Sequence, residues 1–276
     1  MDYVRWAGRG LILALLIVAA GCARERAPDL ERLTPQEIFL SAEALLEEGR
    51  PREAGQRFAE VERLYPYSEW ARRSMLMSAY AFHRGGQFAE ARAAANRFLD
   101  FFPADPDAPY AQYLVALTYY DQIVDVGRDQ QNTFEALQEL RDIIERYPDS
   151  EWAASAALKF DLALDHLAGK EMEIGRYYLG RGHYTAAINR FRVVVQEYQT
   201  TTHTPEALHR LVESYLSLGL VREAQTAGAI LGHNFQGSEW YRDSFALLTG
   251  QGLRPEDVGD SWLNQIYRQV VLGRWQ

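Results

Sequence analysis

From residue 34 onwards, apolar side chains recur at intervals of three and four residues, the spacing of one face of an α-helix. The clearest examples are Ile38, Phe39, Ala42, Leu45 and Leu46, then Ala187, Ile188, Phe191, Val194, Val195 and Tyr198, then Leu208, Leu211, Tyr215 and Leu218. The sequence contains no convincing run of alternating apolar and polar residues, which would predict a strand. It therefore predicts an all-α protein whose helices are joined by short turns, most of them containing glycine.

One combination of residues recurs along this helical region. Ala54 is followed by Phe58, Val61 and Pro66, at offsets of 4, 7 and 12 residues. The same small and apolar positions recur, twice with the proline and twice without it, in units that begin at Ala91, Ala136, Ala187 and Ala224. The pattern resembles the tetratricopeptide (TPR) repeat, a helix–turn–helix unit of about 34 residues with small residues at the helix crossing. We therefore predict a TPR-type α-solenoid of about five repeats.

A phrase that occurs twice, YPYSEWA at 65–71 and YPDSEWA at 147–153, marks joints between these units. Proline cannot continue a helix, so each copy predicts a helix end. Ser68 and Ser150 are candidate N-caps of the next helix, with a glutamate in its first turn. A third, shorter copy at Ser238 opens another helix. We interpret the phrase as a structural joint and not as a catalytic motif.

The predicted organisation is a signal peptide (1–21), a lipidated linker (22–33), the solenoid (34–236, with repeats at about 34–67, 68–104, 105–149, 150–200 and 203–236) and a helical extension (237–276). The third unit carries an insertion at 126–132, either a partner-binding loop or a tolerated surface insertion. Residues 150–180 should form one long helix or two nearly collinear helices. The extension either caps the solenoid or binds a neighbouring subunit.

The N-terminus has the features of an export signal. Arg5 and Arg9 precede ten apolar residues, 11–20, a run too short to span a membrane. The following Ala-Ala-Gly-Cys22 resembles a bacterial lipobox, in which the cysteine becomes the acylated first residue. An ordinary signal peptide with an incidental cysteine is the alternative. Because Ala23, and not aspartate, follows Cys22, the resemblance implies the periplasmic face of the outer membrane, with the lipid as anchor.

Cysteine usage and charge narrow the classes of partner. Cys22 is the only cysteine, so the chain cannot form an internal disulfide. Removing residues 1–21 leaves 27 basic and 37 acidic residues, a net charge of about −10. A surface of this sign disfavours nucleic acid and anionic lipid as partners. Protein or peptide partners are therefore expected.

The sequence offers no motif for catalysis. It lacks a glycine-rich phosphate loop, a His-Glu-x-x-His zinc motif and a Gly-x-Ser-x-Gly nucleophile elbow. His203 and His209 are six residues apart, which does not place them on one helix face as zinc ligands. We therefore predict a protein that is not an enzyme and needs no cofactor or metal.

Five TPR-like units behind a lipobox resemble the BamD family of outer-membrane assembly lipoproteins. The resemblance covers nearly the whole mature chain and is most specific in GKEMEIGRYY at 169–178, RGHYTAAINRF at 181–191 and TPEALHRLVE at 204–213. It implies a subunit of the β-barrel assembly (BAM) machinery whose C-terminal repeats dock a POTRA domain of BamA. Other BAM lipoproteins are further partners. The N-terminal repeats are expected to receive the aromatic C-terminal segment of unfolded barrel proteins.

The resemblance and the helical pattern select the candidate contact residues. For the BamA interface these are Tyr177, Tyr178, Asn189 and Arg190; an Arg190 that is merely solvated or locally paired is the alternative. For the substrate groove, expected along the first helices, they are Tyr67, Trp70, Tyr80, Tyr110 and Tyr113. Of these, Tyr67, Tyr110 and Tyr113 are expected to be exposed. The competing interpretations are another TPR lipoprotein, such as a secretin pilotin, or a regulator of a peptidoglycan enzyme.

Overall fold

The computed structural model describes residues 30–256 and 262–263. Within them the chain forms a short 3₁₀ helix, eleven α-helices and no strand. The helices are α1 (Pro35–Glu47), α2 (Pro51–Leu64), α3 (Glu69–Arg84), α4 (Phe88–Phe101), α5 (Ala108–Tyr120), α6 (Gln131–Arg146), α7 (Glu151–Gly180), α8 (Tyr184–Glu197), α9 (Thr204–Ser217), α10 (Val221–Asn234) and α11 (Glu239–Gly250). The predicted all-α repeat fold is confirmed, whereas the signal peptide, Cys22 and residues 257–261 and 264–276 of the predicted extension lie outside the described residues.

Each of the five predicted repeat ranges contains two helices that pack against each other, and each second helix packs on the first helix of the next pair. The first helices α1, α3, α5 and α7 also contact one another in succession. We call the surface that these first helices share the first-helix side, and the surface formed by α2, α4, α6, α8 and α10 the second-helix side. None of the described helices has the length and apolar character that crossing a membrane requires.

Serine hydroxyls cap the helices that follow the three copies of the repeated phrase. The Oγ atoms of Ser68 and Ser150 each accept a hydrogen bond from the backbone N–H three residues later, at 3.1 Å. Ser238 caps α11 in the same way, at 3.2 Å. Each cap satisfies one of the N–H groups that a helix start leaves without a partner. The predicted N-caps and the helix predicted at the third joint are therefore confirmed.

The residue before each proline leaves the helical conformation, which ends the second helix. Tyr65, Phe102 and Tyr147 have ψ angles of 58°, 53° and 51°. A proline disfavours the helical region for the residue before it, because its ring clashes with the backbone and Cβ of that residue. Tyr198, which precedes a glutamine, has a ψ of 39°. The chain thus repeats the same joint with and without proline.

Fully buried alanines mark the crossing in every pair: Ala54, Ala91, Ala136, Ala187 and Ala224. In the fourth pair the crossing is tighter still, because Gly175 of α7 faces the Phe191 ring of α8. A Cβ atom on Gly175 would lie 2.4 Å from the nearest ring carbon. The helix that carries Gly175 is continuous over 30 residues, so of the two predicted alternatives, one long helix or two nearly collinear helices, the structure has the first.

The contact between α5 and α6 leads to a prediction about pH. The Glu139 carboxylate accepts a hydrogen bond from the Gln112 amide at 2.6 Å. Burial, followed by repulsion from Asp142 and Glu135, raises the pKa of Glu139. A carboxyl group with a raised folded-state pKa binds its proton more tightly when folded, so its contribution to stability is lost as the pH rises through that pKa.

We therefore expect Glu139→Gln to raise the free energy of unfolding at pH 7, by less than about 1 kcal/mol because the carboxylate is partly solvated. The gain should disappear at about pH 3, below the ordinary glutamate pKa, where the wild-type carboxyl group is protonated in both the folded and the unfolded state. Urea unfolding at the two pH values measures the difference. Glu145→Gln, an exposed change on the same helix, is the control; an equal gain there would contradict the explanation.

Candidate functional site

An open apolar cleft of about 700 Å³ lies on the second-helix side between α2 and α4. Its lining residues are Ala59, Glu62, Arg63, Pro66, Tyr67, Met75, Arg97, Phe101 and Phe102. The Tyr67 side chain is fully exposed, and the Phe101 side chain is 66% exposed. Large aromatic side chains left in water beside a concave surface are typical of a recognition site.

The joint at Pro66 explains why Tyr67 stands free. Tyr65 turns inward, and its hydroxyl donates a hydrogen bond to the Leu33 carbonyl at 2.6 Å. Ser68 then caps α3, so the residue between proline and serine sits at the apex of the turn. Phe101 ends α4 beside it and contacts Phe102, with ring centroids 6.4 Å apart. The joint thus leaves the Tyr67 side chain in solvent, while the hydrogen bonds made by Tyr65 and Ser68 hold the backbone on either side of it.

The charged groups around the cleft already have partners. Arg97 reaches across from α4 to the Glu62 carboxylate, at 3.1 and 3.2 Å. Arg63 binds Glu60 in the preceding turn of α2 at 2.6 Å. Because both guanidinium groups are neutralised locally, the cleft would recognise a ligand mainly through apolar and aromatic contact.

The other groove candidates lie apart from Tyr67, in helices of the first-helix side. Trp70 packs on Phe39, with ring centroids 5.0 Å apart. The Tyr80 hydroxyl accepts a hydrogen bond from Arg84 at 2.8 Å. The structure therefore divides the predicted groove residues between two surfaces.

Tyr110 and Tyr113 are covered by the next unit. Their rings lie 4.6 and 5.2 Å from that of Trp152, which opens α7. Burial raises the pKa of Tyr110 to about 12. Tyr113 is only 7% exposed and Tyr110 is half-buried, so the expectation that these two side chains are exposed is wrong. Trp152 belongs to the next unit. It covers the two tyrosine rings, which the residue spacing within α5 alone would place on an exposed face.

Phe101 lines the cleft but is not among the groove residues that the sequence predicts. Its signal is the doubled aromatic Phe101-Phe102 before Pro103, where the first and third units carry a single tyrosine before the proline. Phe102 takes the position before the proline that Tyr65 has at the first joint. Phe101 is therefore free to line the cleft.

The candidates for the partner interface are spread over α7 and α8. Tyr177 is 54% exposed and lies under the Arg181 guanidinium, 4.2 Å from its ring centroid. Tyr178 is half-buried against the core of the C-terminal units. Asn189 is exposed on α8. Arg190 forms an ion pair with Glu171 of α7 at 3.0 Å. It is therefore locally paired, which is one of the alternatives considered for this residue.

An ion network next to Tyr177 joins the fourth and fifth units. Arg176 of α7 binds both oxygens of Glu206 of α9, at 2.9 and 2.6 Å, and Arg210 binds Glu206 and Glu213. Burial by itself raises the pKa of Glu206, but Arg176 and Arg210 together outweigh it and hold this pKa below its usual value. The network fixes α7 relative to α9 one residue before Tyr177.

The insertion after α5 packs against the long helix. The Lys170 ammonium of α7 donates a hydrogen bond to the Arg128 carbonyl at 3.1 Å, and the Gln130 amide binds the Asp125 and Arg128 carbonyls at 3.2 Å. The insertion is therefore an ordered connection that braces α7. A smaller cleft of about 340 Å³ lies beside it, lined by Tyr120, Ile123, Val124, Asp125, Leu162, Ala163 and His166.

Comparison with known proteins gives a consistent set of relatives. A family model described as an outer membrane lipoprotein, YfiO, matches residues 31–230. The chain is 52% identical over 251 residues to the outer membrane protein assembly factor BamD of Caulobacter vibrioides, covering 88% of this chain and 82% of that protein. BamD of Rickettsia prowazekii is 38% identical over 237 residues, which cover 86% and 94% of the two chains. BamD of Neisseria meningitidis serogroup A is 29% identical over 240 residues, which cover 82% and 90%.

Proposed function

This chain belongs to the YfiO family of outer-membrane lipoproteins, to which BamD is assigned, and we propose that it serves outer-membrane protein assembly as a non-catalytic scaffold. In this proposal the N-terminal units receive unfolded barrel proteins and the C-terminal units dock the POTRA domain of BamA. Other BAM lipoproteins complete the complex. The observation that carries the proposal is the open aromatic cleft at Tyr67 and Phe101, separated along the chain from the exposed Tyr177.

Substrate recognition would depend on aromatic contact. A barrel protein that ends in an aromatic residue would place that ring between Tyr67 and Phe101, where aromatic pairs add about 0.5–1.5 kcal/mol beyond area burial. The arginines at the cleft already have carboxylate partners, so binding there should depend weakly on salt. This site would replace the first-helix groove as the principal contact for the substrate segment.

Docking of BamA would use the outer surface of the fourth unit. Tyr177 and Tyr178 present aromatic area that two χ angles fix, which suits an interface anchor. Arg190 would share its guanidinium between Glu171 and a carboxylate of the POTRA domain, since arginine has five N–H donors. A lipid on Cys22 would hold the subunit at the periplasmic face, at the end of a short linker before α1.

A detergent pull-down of the tagged, full-length chain tests the assignment. We expect a BamA-like barrel protein to be retained and identified by mass spectrometry. Recovery of a secretin in its place would favour a pilotin, and recovery of a peptidoglycan synthase or hydrolase would favour a regulator. Either of these outcomes would reject the proposed scaffold role.

A charge swap separates the partner role of Arg190 from its local role. Arg190→Glu should weaken POTRA binding at least about tenfold, because it places a carboxylate where the partner presents another. The double variant Glu171→Arg, Arg190→Glu restores the local ion pair but still presents a carboxylate at position 190, so binding should stay weak.

Biolayer interferometry with a purified POTRA domain measures the affinities, and circular dichroism checks that each variant is folded. Recovery of binding in the double variant would assign Arg190 a local structural role. Unchanged binding in both variants would exclude this residue from the interface.

A further inference from the structure

The smaller cleft, of about 340 Å³, lies between the end of α5, the connection that follows it and the middle of α7, and we call it the α5–α7 cleft. Its walls are mostly apolar, and they share no residue with the cleft at Tyr67. Leu162 of α7 lines it and is 61% exposed, and Val124 of the connection is 39% exposed. Apolar side chains thus remain in water at a concave surface, as is typical of a recognition site.

The exposed apolar surface continues from the cleft along α7. Ala154, Leu158 and Leu162 are four residues apart, a spacing that places their side chains on one face of the helix. All three side chains are exposed, Leu158 to 69%. They form an apolar stripe about 12 Å long, because a helix rises about 1.5 Å per residue. The cleft and the stripe together offer a partner one continuous apolar contact surface.

Two carboxylates beside this surface have no cationic partner in the described part of the chain. Asp125 lines the cleft, and Asp161 is exposed on α7, three residues after Leu158. No described arginine, lysine or histidine nitrogen lies within 4.0 Å of either carboxylate. The nearby Lys159 ammonium lies over the Tyr120 ring, 4.9 Å from its centroid. A partner that carries lysine or arginine beside an apolar side chain would therefore complement this surface in charge.

An imidazole in the wall of the cleft favours an extended partner over a helical one. His166 lines the cleft, and its Nε2 atom is buried with no hydrogen-bond partner among residues 30–256 and 262–263. A buried polar atom without a partner costs free energy, so a ligand group that reaches the imidazole would be favoured. An extended segment brings free backbone N–H and C=O groups, whereas those inside a helix are bonded to each other.

We propose that the α5–α7 cleft is a docking site for an extended segment of another protein, in which a large apolar side chain lies between lysine or arginine residues. The apolar side chain enters the cleft against Leu162, and the cations face Asp125 and Asp161. The stripe on α7 has the length of about four residues of extended chain, so the site suits a short linear segment. This contact surface is additional to those of BamA and of the barrel substrates and does not depend on them.

Random ten-residue peptides displayed on phage and selected against the full-length chain in detergent provide the test. We expect the enriched sequences to carry a large apolar residue flanked by lysine or arginine. A synthetic, labelled peptide of the most enriched sequence is then titrated by fluorescence anisotropy. Leu162→Asp should weaken its binding at least about tenfold, because the change puts a charge into the apolar contact. Leu40→Asp, the same change at a half-exposed leucine of α1, is the matched control and should leave the affinity unchanged.

Two further variants test the polar contacts separately. Asp161→Lys should weaken binding of the selected peptide about threefold, and it should strengthen by a similar factor the binding of a peptide whose basic residues are replaced with glutamate. His166→Leu should weaken binding about fivefold, the usual net effect of one neutral hydrogen bond. Circular dichroism checks that each variant is folded.

Several results would overturn the proposal while the scaffold role stands. Enrichment of no sequence, or of acidic sequences, would do so, as would equal binding by the wild type and a folded Leu162→Asp chain. Unchanged binding in both Asp161→Lys and His166→Leu would reject the stated chemistry of the partner. A peptide that loses affinity for the Tyr67→Ala, Phe101→Ala chain but not for Leu162→Asp would belong to the cleft between α2 and α4, against this assignment.

Discussion

Replacing Gly175 with valine is expected to lower the free energy of unfolding by about 3 kcal/mol, the upper end of the usual cost of overpacking a core. The α7–α8 crossing leaves no room for a side chain there, because a Cβ atom would lie 2.4 Å from the Phe191 ring. Phe191 is fully buried, so the ring has nowhere to move. The two helices must separate or tilt, and the units on either side lose contact.

The matched control is Gly180→Val in the last turn of the same helix, where a Cβ atom meets nothing within 4 Å. Both changes replace a helical glycine with a β-branched residue, so a difference between them reports the crossing and not helix propensity. Urea unfolding followed by circular dichroism gives both values. Equal midpoints for the two variants would show that the crossing can relax, against this account.

The repeat, its joints and the close crossing could be predicted because their causes are local in sequence. A proline ends a helix by acting on the residue before it, and a serine caps a helix through an N–H three residues later. Gly175 lies twelve residues before Ala187, as Ala42 lies before Ala54 and Ala79 before Ala91. The spacing within one unit is sufficient to place a small residue at each of these crossings.

What escaped prediction depends on contacts between units. The period of α5 gives Tyr113 an outward direction, but Trp152, which belongs to the next unit, covers it. Arg190 finds Glu171 nineteen residues earlier, across the crossing of two helices. The cleft at Tyr67 needs α2 and α4 side by side, which the pattern of neither helix reveals. Spacing within a helix defines its buried face but does not identify the residue that covers the other face.

The double variant Tyr67→Ala, Phe101→Ala is expected to weaken binding of a peptide with a C-terminal aromatic residue about a hundredfold. Each ring would contribute roughly 1–2 kcal/mol as a contact anchor, and each 1.4 kcal/mol is tenfold in affinity. The folded state should be nearly unaffected, because neither side chain is buried and exposed substitutions change stability by about 0.5 kcal/mol or less. Fluorescence anisotropy with a labelled ten-residue peptide ending in phenylalanine measures the loss.

Phe134→Ala is the matched control, since Phe134 is 55% exposed on α6, outside the residues that line the cleft. It should bind the peptide as the wild type does. A peptide ending in alanine should bind the wild type and the double variant equally weakly, because the cleft would then have no ring to hold. If the double variant keeps its affinity and Tyr80→Ala or Trp70→Ala loses it, the substrate segment binds the first-helix side, and the cleft between α2 and α4 serves another partner.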